Sequence, residues 1–323
     1  MKKKLSLLLG ALLISTTTLT MAQADKPISI IVTVPPGGSS DALARVAANT
    51  LSEKIKRPVV VENVTGAGGL VGMQRFLRTR NDGNTLLFIN QALVIIPHLQ
   101  QNSTYDPIKD FQPLGIVASV PMMLSVSNGF KAQDVKSLIS TMKEKPGEIN
   151  FGSGGPGTTA HFAEALFVNL ADAKAELVQY RGSGPALVDL MAGTIDAVID
   201  QTVTMASLHA DKRVRALAVT GDKRVDQAPD VPTFTEAGLP SFDLEIWNGL
   251  FAAAGTPPDA LAELNQAIAS VVTDPGFIEK IKGFGGTVPQ GDKQGPEALK
   301  QLVIKDAQRV KDLSAQGAFG AQK

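Results

Sequence analysis

Short apolar runs alternate along the chain with stretches in which apolar residues recur every three or four positions. The runs at 28–34, 58–62 and 85–90 read as buried strands. Between the first two, 42–55 sets Leu43, Val46, Ala47 and Leu51 on one helical face, and 70–77 reads as a second helix. This strand–helix rhythm predicts an α/β chain with parallel sheets. Further strands are expected at 114–119, 122–126, 176–180, 194–200 and 214–220. A helix at 135–143 turns Leu138, Ile139 and Met142 inward, and a short one at 185–192 has Pro185 at its first position and Gly193 as its stop. Near the C-terminus, 246–253 reads as a returning strand. Thr256-Pro257-Pro258-Asp259 then starts a helix with Leu261, Leu264 and Ile268 on its apolar face. A last helix at 296–313 carries Leu299, Leu302, Ala307 and Val310 inward. Together these predict two lobes joined by two crossing segments, near 120 and near 248. Residues 25–120 and 249–323 form one lobe and 121–248 the other.

The run Phe151-Gly152-Ser153-Gly154-Gly155-Pro156-Gly157-Thr158-Thr159-Ala160-His161 leads into a helix marked by Ala163, Leu166, Phe167 and Leu170. Thr158 or Thr159 suits its N-cap. Glycines let backbone approach a ligand, and a helix N-terminus offers free N–H groups and partial positive charge, a combination that favours an anion. Pro35-Pro36-Gly37-Gly38-Ser39-Ser40-Asp41 repeats the arrangement. Two such loops suggest a small anionic ligand held from both sides, although each also reads as an ordinary capped turn. Gly66-Ala67-Gly68-Gly69 and Tyr180-Arg181-Gly182-Ser183-Gly184-Pro185 offer further backbone donors, and Arg181 is either a carboxylate clamp or a solvated loop residue. Asp200 and Gln201 end a strand where open α/β sheets place their ligands.

Composition narrows the function. Lys2, Lys3 and Lys4 precede an apolar run at 5–14 and Ala22-Gln23-Ala24, the pattern of a signal peptide cleaved after Ala24. No segment is apolar for long enough to span a bilayer. There is no Cys, which excludes disulfides, thiolate sites and a lipidated N-terminal cysteine. The expectation is a protein exported to the periplasm. Past the three lysines, 28 basic and 31 acidic residues leave a net charge of −3, no footprint for nucleic acid. His98, His161 and His209 are isolated from one another and from acidic partners at ligand spacing, so no metal and no cofactor is expected. There is no Walker lysine, no dinucleotide fingerprint with its acidic ribose partner and no Gly-x-Ser-x-Gly elbow, so catalysis has no motif behind it.

The ordered set of motifs resembles the Bug-type periplasmic solute-binding proteins of tripartite tricarboxylate transporters over nearly the whole mature length. It comprises 35–41 with Ala44-Arg45, then Val59-Val60-Val61-Glu62-Asn63, Gly66-Ala67-Gly68-Gly69 and Asp82-Gly83-Asn84-Thr85-Leu86-Leu87. Tyr105-Asp106-Pro107, Lys109-Asp110-Phe111, the 152–161 loop, Tyr180-Arg181-Gly182 and Pro185-Ala186 follow. Arg215-Ala216-Leu217-Ala218-Val219-Thr220, Asp230-Val231-Pro232-Thr233, Glu236-Ala237-Gly238 and Trp247-Asn248-Gly249-Leu250 complete it. The resemblance implies a type II periplasmic-binding-protein fold, two α/β lobes around a ligand cleft. It implies a small carboxylate or dicarboxylate held largely by backbone amides, hydroxyls and water, which lowers the weight on Arg181. By position, the contacts come from Ser39, Ser40, Asp41, Ala67, Ser153, Thr158, Thr159 and His161. Tyr180 and Asp200 line the far side, and Gln91 is a rim contact. The implied partners are transporter subunits in the membrane, served by a monomeric receptor.

Two positions depart from the family pattern. Val64-Thr65 replaces a basic residue and proline, and Asn84 replaces an aromatic. Both bear on ligand identity. The competing readings are a ligand sensor for a receptor kinase and a hydrolase using Ser153 or Ser39 with His161.

Overall fold

The computed structural model describes residues 26–100 and 102–315. The expected signal peptide, with its cleavage after Ala24, lies outside them. In chain order the first elements are β1 (Ile28–Val32), α1 (Ser39–Ile55), β2 (Val59–Asn63), α2 (Leu70–Leu77), β3 (Thr85–Asn90), α3 (Ala92–Leu99) and β4 (Phe111–Val126). There follow α4 (Val135–Glu144), β5 (Asn150–Ser153), α5 (Thr159–Leu170), β6 (Glu176–Gln179), α6 (Ser183–Ala192), β7 (Ala197–Gln201), α7 (Thr202–Ala210) and β8 (Arg215–Val219). The chain returns through β9 (Glu245–Ala253) and ends in α8 (Pro258–Val272), α9 (Pro275–Gly283) and α10 (Pro296–Ala315). Among the described residues no helix is long and apolar enough to cross a membrane.

The strands run in the order β2-β1-β3-β9-β4-β7-β5-β6, with β8 also paired to β4. β1 is parallel to β2 and β3, and β5 is parallel to β6 and β7. The stretches expected as separate strands at 114–119 and 122–126 are one strand, β4. Its first part, from Phe111 to Pro121, pairs antiparallel with β9. From Met122 to Val126 it pairs with β7 and β8 instead. β4 thus leaves one lobe and enters the other without a break. The break expected between 119 and 122 does not occur, because Val120 and Pro121 stay paired with Ile246 and Glu245 of β9.

The second crossing runs through Leu244 into β9, and the Thr220 hydroxyl ties it to the first. It accepts from the Met122 N–H at 2.8 Å and donates to the Leu244 carbonyl at 2.6 Å. Thr220 is fully buried, so neither bond competes with water.

Both faces of the first lobe's sheet are covered, as a parallel sheet requires. Ile28, Ile30 and Val32 face α1 and α8 residues such as Leu43 and Ile268, while Ile31 faces Met73 and Phe76. This is the alternation of a strand expressed as two cores. Aromatic rings are few and concentrated. Phe76, Tyr105, Phe111 and Phe251 interlock in the first lobe with Trp247 at the crossing, and Phe151, Phe167, Phe234 and Phe242 in the second. Trp247 also donates to Asp306 Oδ2 at 2.7 Å, which fastens α10 to β9.

Three helices have no counterpart in the sequence expectation. α3 is apolar on every side and contains Pro97, so it shows no amphipathic period. α7 is nearly featureless in its polar pattern, and α9 follows α8 after a short Thr273-Asp274 link. α6 starts at Ser183, two residues before the expected Pro185, and its stop at Gly193 adopts the left-handed conformation as expected, with φ +75°.

Candidate functional site

Six strand ends point into the space between the lobes, β1, β2 and β3 from one side and β5, β6 and β7 from the other. The loops after them enclose a cavity of about 570 Å³. Its wall includes the first residues of α1 (Ser39 and Ser40), the tight turn Ala67–Gly69 before α2, and Ala92 at the start of α3. Across the cleft it includes Thr158 and Thr159 at α5, Ser183 at α6 and Gln201 before α7. Six helix N-termini therefore converge on one volume. Only α1 carries an acidic residue in its first turn. That residue, Asp41, is turned away from the cavity, so the wall is rich in N–H donors and partial positive charge.

The first wall is built around Asp41. Its carboxylate accepts from the Gly37 N–H at 2.9 Å, from Arg45 Nε at 3.0 Å and from Asn63 Nδ2 at 2.8 Å. Asn63 also donates to the Val34 carbonyl at 3.0 Å. This network pins the Pro35–Ser40 turn to the end of β2. The second turn is held by backbone conformation, since Gly66, Ala67, Gly68 and Gly69 all have positive φ. Ala67, at φ +45°, is a strained non-glycine residue in that run.

The lobes touch around the cavity. Ser39 Oγ lies 3.1 Å from Thr204 Oγ1, and Gln100 Nε2 donates to the Pro156 carbonyl at 3.0 Å. Two glycines make the closest approaches. A Cβ on Gly68 would overlap the Pro156 carbonyl, and one on Gly182 would come within 2.6 Å of Pro35 Cγ.

Seven of the expected residues meet at the cavity: Ser39, Ser40, Ala67, Thr158, Thr159, Tyr180 and Asp200. The other four do not line it. Asp41 orders the first loop from behind. Gln91 follows the end of β3 in helical conformation, φ −53°, as the first residue before α3, and is buried away from the cavity. Its amide donates to the Glu245 carbonyl at 2.9 Å. Ser153 lies beneath the wall and donates to Gln179 Oε1 at 2.9 Å. His161 sits one turn into α5 and is 8% exposed. Within the wall, the Thr158 hydroxyl donates to the Gly155 carbonyl at 2.7 Å and accepts from the His161 N–H at 3.3 Å. It is the N-cap of α5. Thr33, Asn90 and Ser183 line the cavity and were not among the expected contacts. The strand-end rule that marked Asp200 applies equally to Asn90.

The profile of the tripartite tricarboxylate transporter family receptor matches residues 43–316 of the chain. The chain belongs to that family. BugT of Bordetella pertussis is 34% identical to the receptor over 81% of each chain. The solved periplasmic binding protein BugD superposes with a TM-score of 0.86 at 30% identity, covering 91% of the receptor and 98% of BugD. MatC from Rhodopseudomonas palustris, solved with bound malate, superposes with a TM-score of 0.85 at 29% identity, covering 89% and 98%. The receptor thus has the two-lobed fold of the periplasmic binding proteins, and these relatives are binding proteins rather than enzymes.

Charge in the receptor's cavity wall is sparse. Arg181 is the cation and Asp200 the acid among the lining residues. Tyr180 donates to Asp189 Oδ2 at 2.7 Å, and desolvation together with that carboxylate pushes its phenol up to about 12. Burial opposes ionisation of Asp41, but Arg45, the Gly37 N–H and Asn63 hold its carboxyl below the usual range. At Asp200 and behind it the balance reverses. Burial raises Asp200, against the nearby Ser183 hydroxyl and the Gln201 N–H, and it raises Glu164 too, against the Ile199 N–H and with the Asp200 charge adding to it. Burial also keeps the His161 imidazole below its ordinary value, hence neutral.

Proposed function

We propose that this receptor captures a small dicarboxylate between its lobes and delivers it to the membrane subunits of a tripartite tricarboxylate transporter. The observation that carries this reading is the convergence of six helix N-termini, from both lobes, on one cavity with a single formal cation. Such a wall neutralises an anion with backbone dipoles, each worth roughly 0.3–2 kcal/mol, and donors on opposite sides suit a ligand with an acid at each end. The malate in MatC supports the same class. The ligand contacts are Ser39, Ser40, Ala67, Thr159, Tyr180 and Asp200, with Asn90 and Ser183 added from the cavity wall. The lobes divide at 25–120 and 249–323 against 121–248, a placement supported by the change of partner along β4 at Pro121–Met122. In this reading the mature protein begins at Asp25, works in the periplasm as a monomer and turns nothing over.

A thermal-shift and calorimetric panel of mono-, di- and tricarboxylates, amino acids and aromatic acids tests the assignment. At 100 times its dissociation constant, a dicarboxylate is expected to add about 2.7 kcal/mol of stability. A panel in which only non-carboxylates shift the protein would sink the reading. Thr159→Val keeps the side-chain shape and removes the hydroxyl, and is expected to weaken that ligand about tenfold, roughly one 1.4 kcal/mol hydrogen bond. Thr158→Ala acts on stability instead, costing about 0.5–2 kcal/mol through the lost N-cap.

A further inference from the structure

Beneath the second wall lies a set of polar groups that the capture of an anion does not by itself require. Glu164 is fully buried, Asp200 is 3% exposed and His161 is 8% exposed. Both Glu164 oxygens, Asp200 Oδ2 and His161 Nδ1 are buried and form no well-aligned hydrogen bond, with only the Ile199 N–H near Glu164 and the Ser183 hydroxyl near Asp200. α5 packs on β7, which brings Glu164 against the end of the strand that carries Asp200. Asp200 alone of the three lines the cavity.

Among the described residues no ion pair includes either carboxyl, and His98 of α3 and Glu176 of β6, on the other elements packed against α5, are exposed. β4 and β5, which flank β7, have no titratable residue. α5 contributes His161 and Glu164 themselves. Asp189 of α6 is bonded to the Tyr180 hydroxyl. His209, at the far end of α7, is 3.1 Å from Asp230. Arg181 is exposed in the turn before α6. The cavity-lining residues of the first lobe carry no titratable side chain. Two buried carboxyls side by side without a cation cannot both be ionised. A ligand carboxylate arriving in the same cavity would add a further negative charge beside the pair.

We propose that Asp200, backed by Glu164, presents a carboxylic O–H to an anionic oxygen of the bound ligand, so that closing the cleft on its ligand takes up a proton. When the lobes part, water reaches Asp200 and the proton is released. Binding of the anion displaces the equilibrium back. The device favours a ligand with an acceptor at this end and disfavours one with an ammonium group there, which would need Asp200 ionised. The first part, the proton on the pair, holds whatever the ligand is; the second rests on the receptor reading above.

The experiment therefore has two arms. Infrared spectra of the ligand-free protein at pH 7.5 read the C=O stretch of a protonated carboxylic acid. A band from Glu164, which lies behind the wall and keeps its proton when Asp200 loses its own, is expected in the difference spectrum between the wild type and the Glu164→Gln/Asp200→Asn double variant. If the wild type lacks it, the proposal is overturned without reference to any ligand. Glu164→Gln alone gives a second check on folded protein. Because burial lifts the Glu164 value above its unfolded one, its contribution to stability is present at low pH and lost as pH rises from about 4.3 toward the folded value. The melting temperature of E164Q should therefore gain on the wild type with rising pH, and parallel curves would count against the proposal.

The second arm is calorimetry with malate between about pH 6 and 8.5, in buffers of different ionisation heat. Expected are an uptake of up to one proton per ligand and an affinity that weakens by up to about tenfold per pH unit. Asp200→Asn should remove the pH dependence and bind more tightly than the wild type at the alkaline end. Binding without proton uptake and flat with pH overturns the role given to Asp200. Loss of binding in Asp200→Asn together with a proton-neutral wild type shows an ionised acceptor instead. A protonated band in a protein that binds neither malate nor any carboxylate of the panel sinks the receptor reading alone.

Discussion

Phe167→Ala is expected to lower the unfolding free energy by about 3–5 kcal/mol, the range for removing a fully buried aromatic ring. Phe167 has no solvent exposure and is the hub of the second lobe's aromatic cluster. Its ring lies 5.8 Å from Phe151, 6.1 Å from Phe234 and 5.8 Å from Phe242. These neighbours come from β5 and from the long segment between β8 and β9. They are locked by one another, with Phe234 and Phe242 only 4.5 Å apart, so the hole left by the ring cannot close by a simple side-chain shift. Phe167 also anchors the helix whose other end, at Thr158 and Thr159, faces the ligand cavity. A loosened α5 would cost binding as well as stability. Denaturant unfolding of the variant measures the first effect, and a loss below about 1 kcal/mol would show that the cluster repacks.

Gly68→Ala is expected to weaken ligand binding by at least about a hundredfold, equivalent to roughly 2.7 kcal/mol, while the protein stays folded. The added Cβ would overlap the Pro156 carbonyl oxygen and sit 2.8 Å from its carbon, both rigid backbone atoms of the opposite lobe. The Pro156 carbonyl is itself held by Gln100. The conflict exists only when the lobes meet, so the variant shifts the population toward the parted cleft. Apparent affinity then falls in proportion to the closed fraction. The left-handed backbone at Gly68, φ +60°, adds a cost of about 1–2 kcal/mol for any side chain, independent of closure. Small-angle scattering separates the two effects. With saturating ligand the wild type should contract, whereas Gly68→Ala should not. Gly129→Ala, where the new methyl meets open space, is the control. Wild-type affinity in Gly68→Ala would mean that the ligand-bound cleft does not bring Gly68 against Pro156.

The alternation of strands and helices, the glycine turns and an N-cap at Thr158 or Thr159 were all readable from the chain. Each is a local property, decided within a few residues by periodicity, by the φ that glycine allows and by one hydroxyl reaching its own helix. The convergence of the loops followed too, because parallel strands end on the same side. Local pattern could not tell which side of a strand end or helix turn faces the cleft. Asn90 and Gln91 are equally polar neighbours, and only the folded chain puts Asn90 on the cavity wall and Gln91 on the Glu245 carbonyl. Asp41 and Ser153 carry the same groups as true wall residues but are taken up by Arg45, Asn63 and Gln179. The continuity of β4 depends on β7, β8 and β9, whose nearest member is some 70 residues away.

The sequence alone determined an α/β chain of two lobes whose glycine-rich helix starts favour an anion, since those tendencies belong to single segments. The tertiary structure alone decided which polar groups reach the cavity, which glycines close it, and that Glu164 lies buried beside Asp200. Those outcomes depend on burial and on neighbours distant in the chain, and desolvation has no signature in the order of residues.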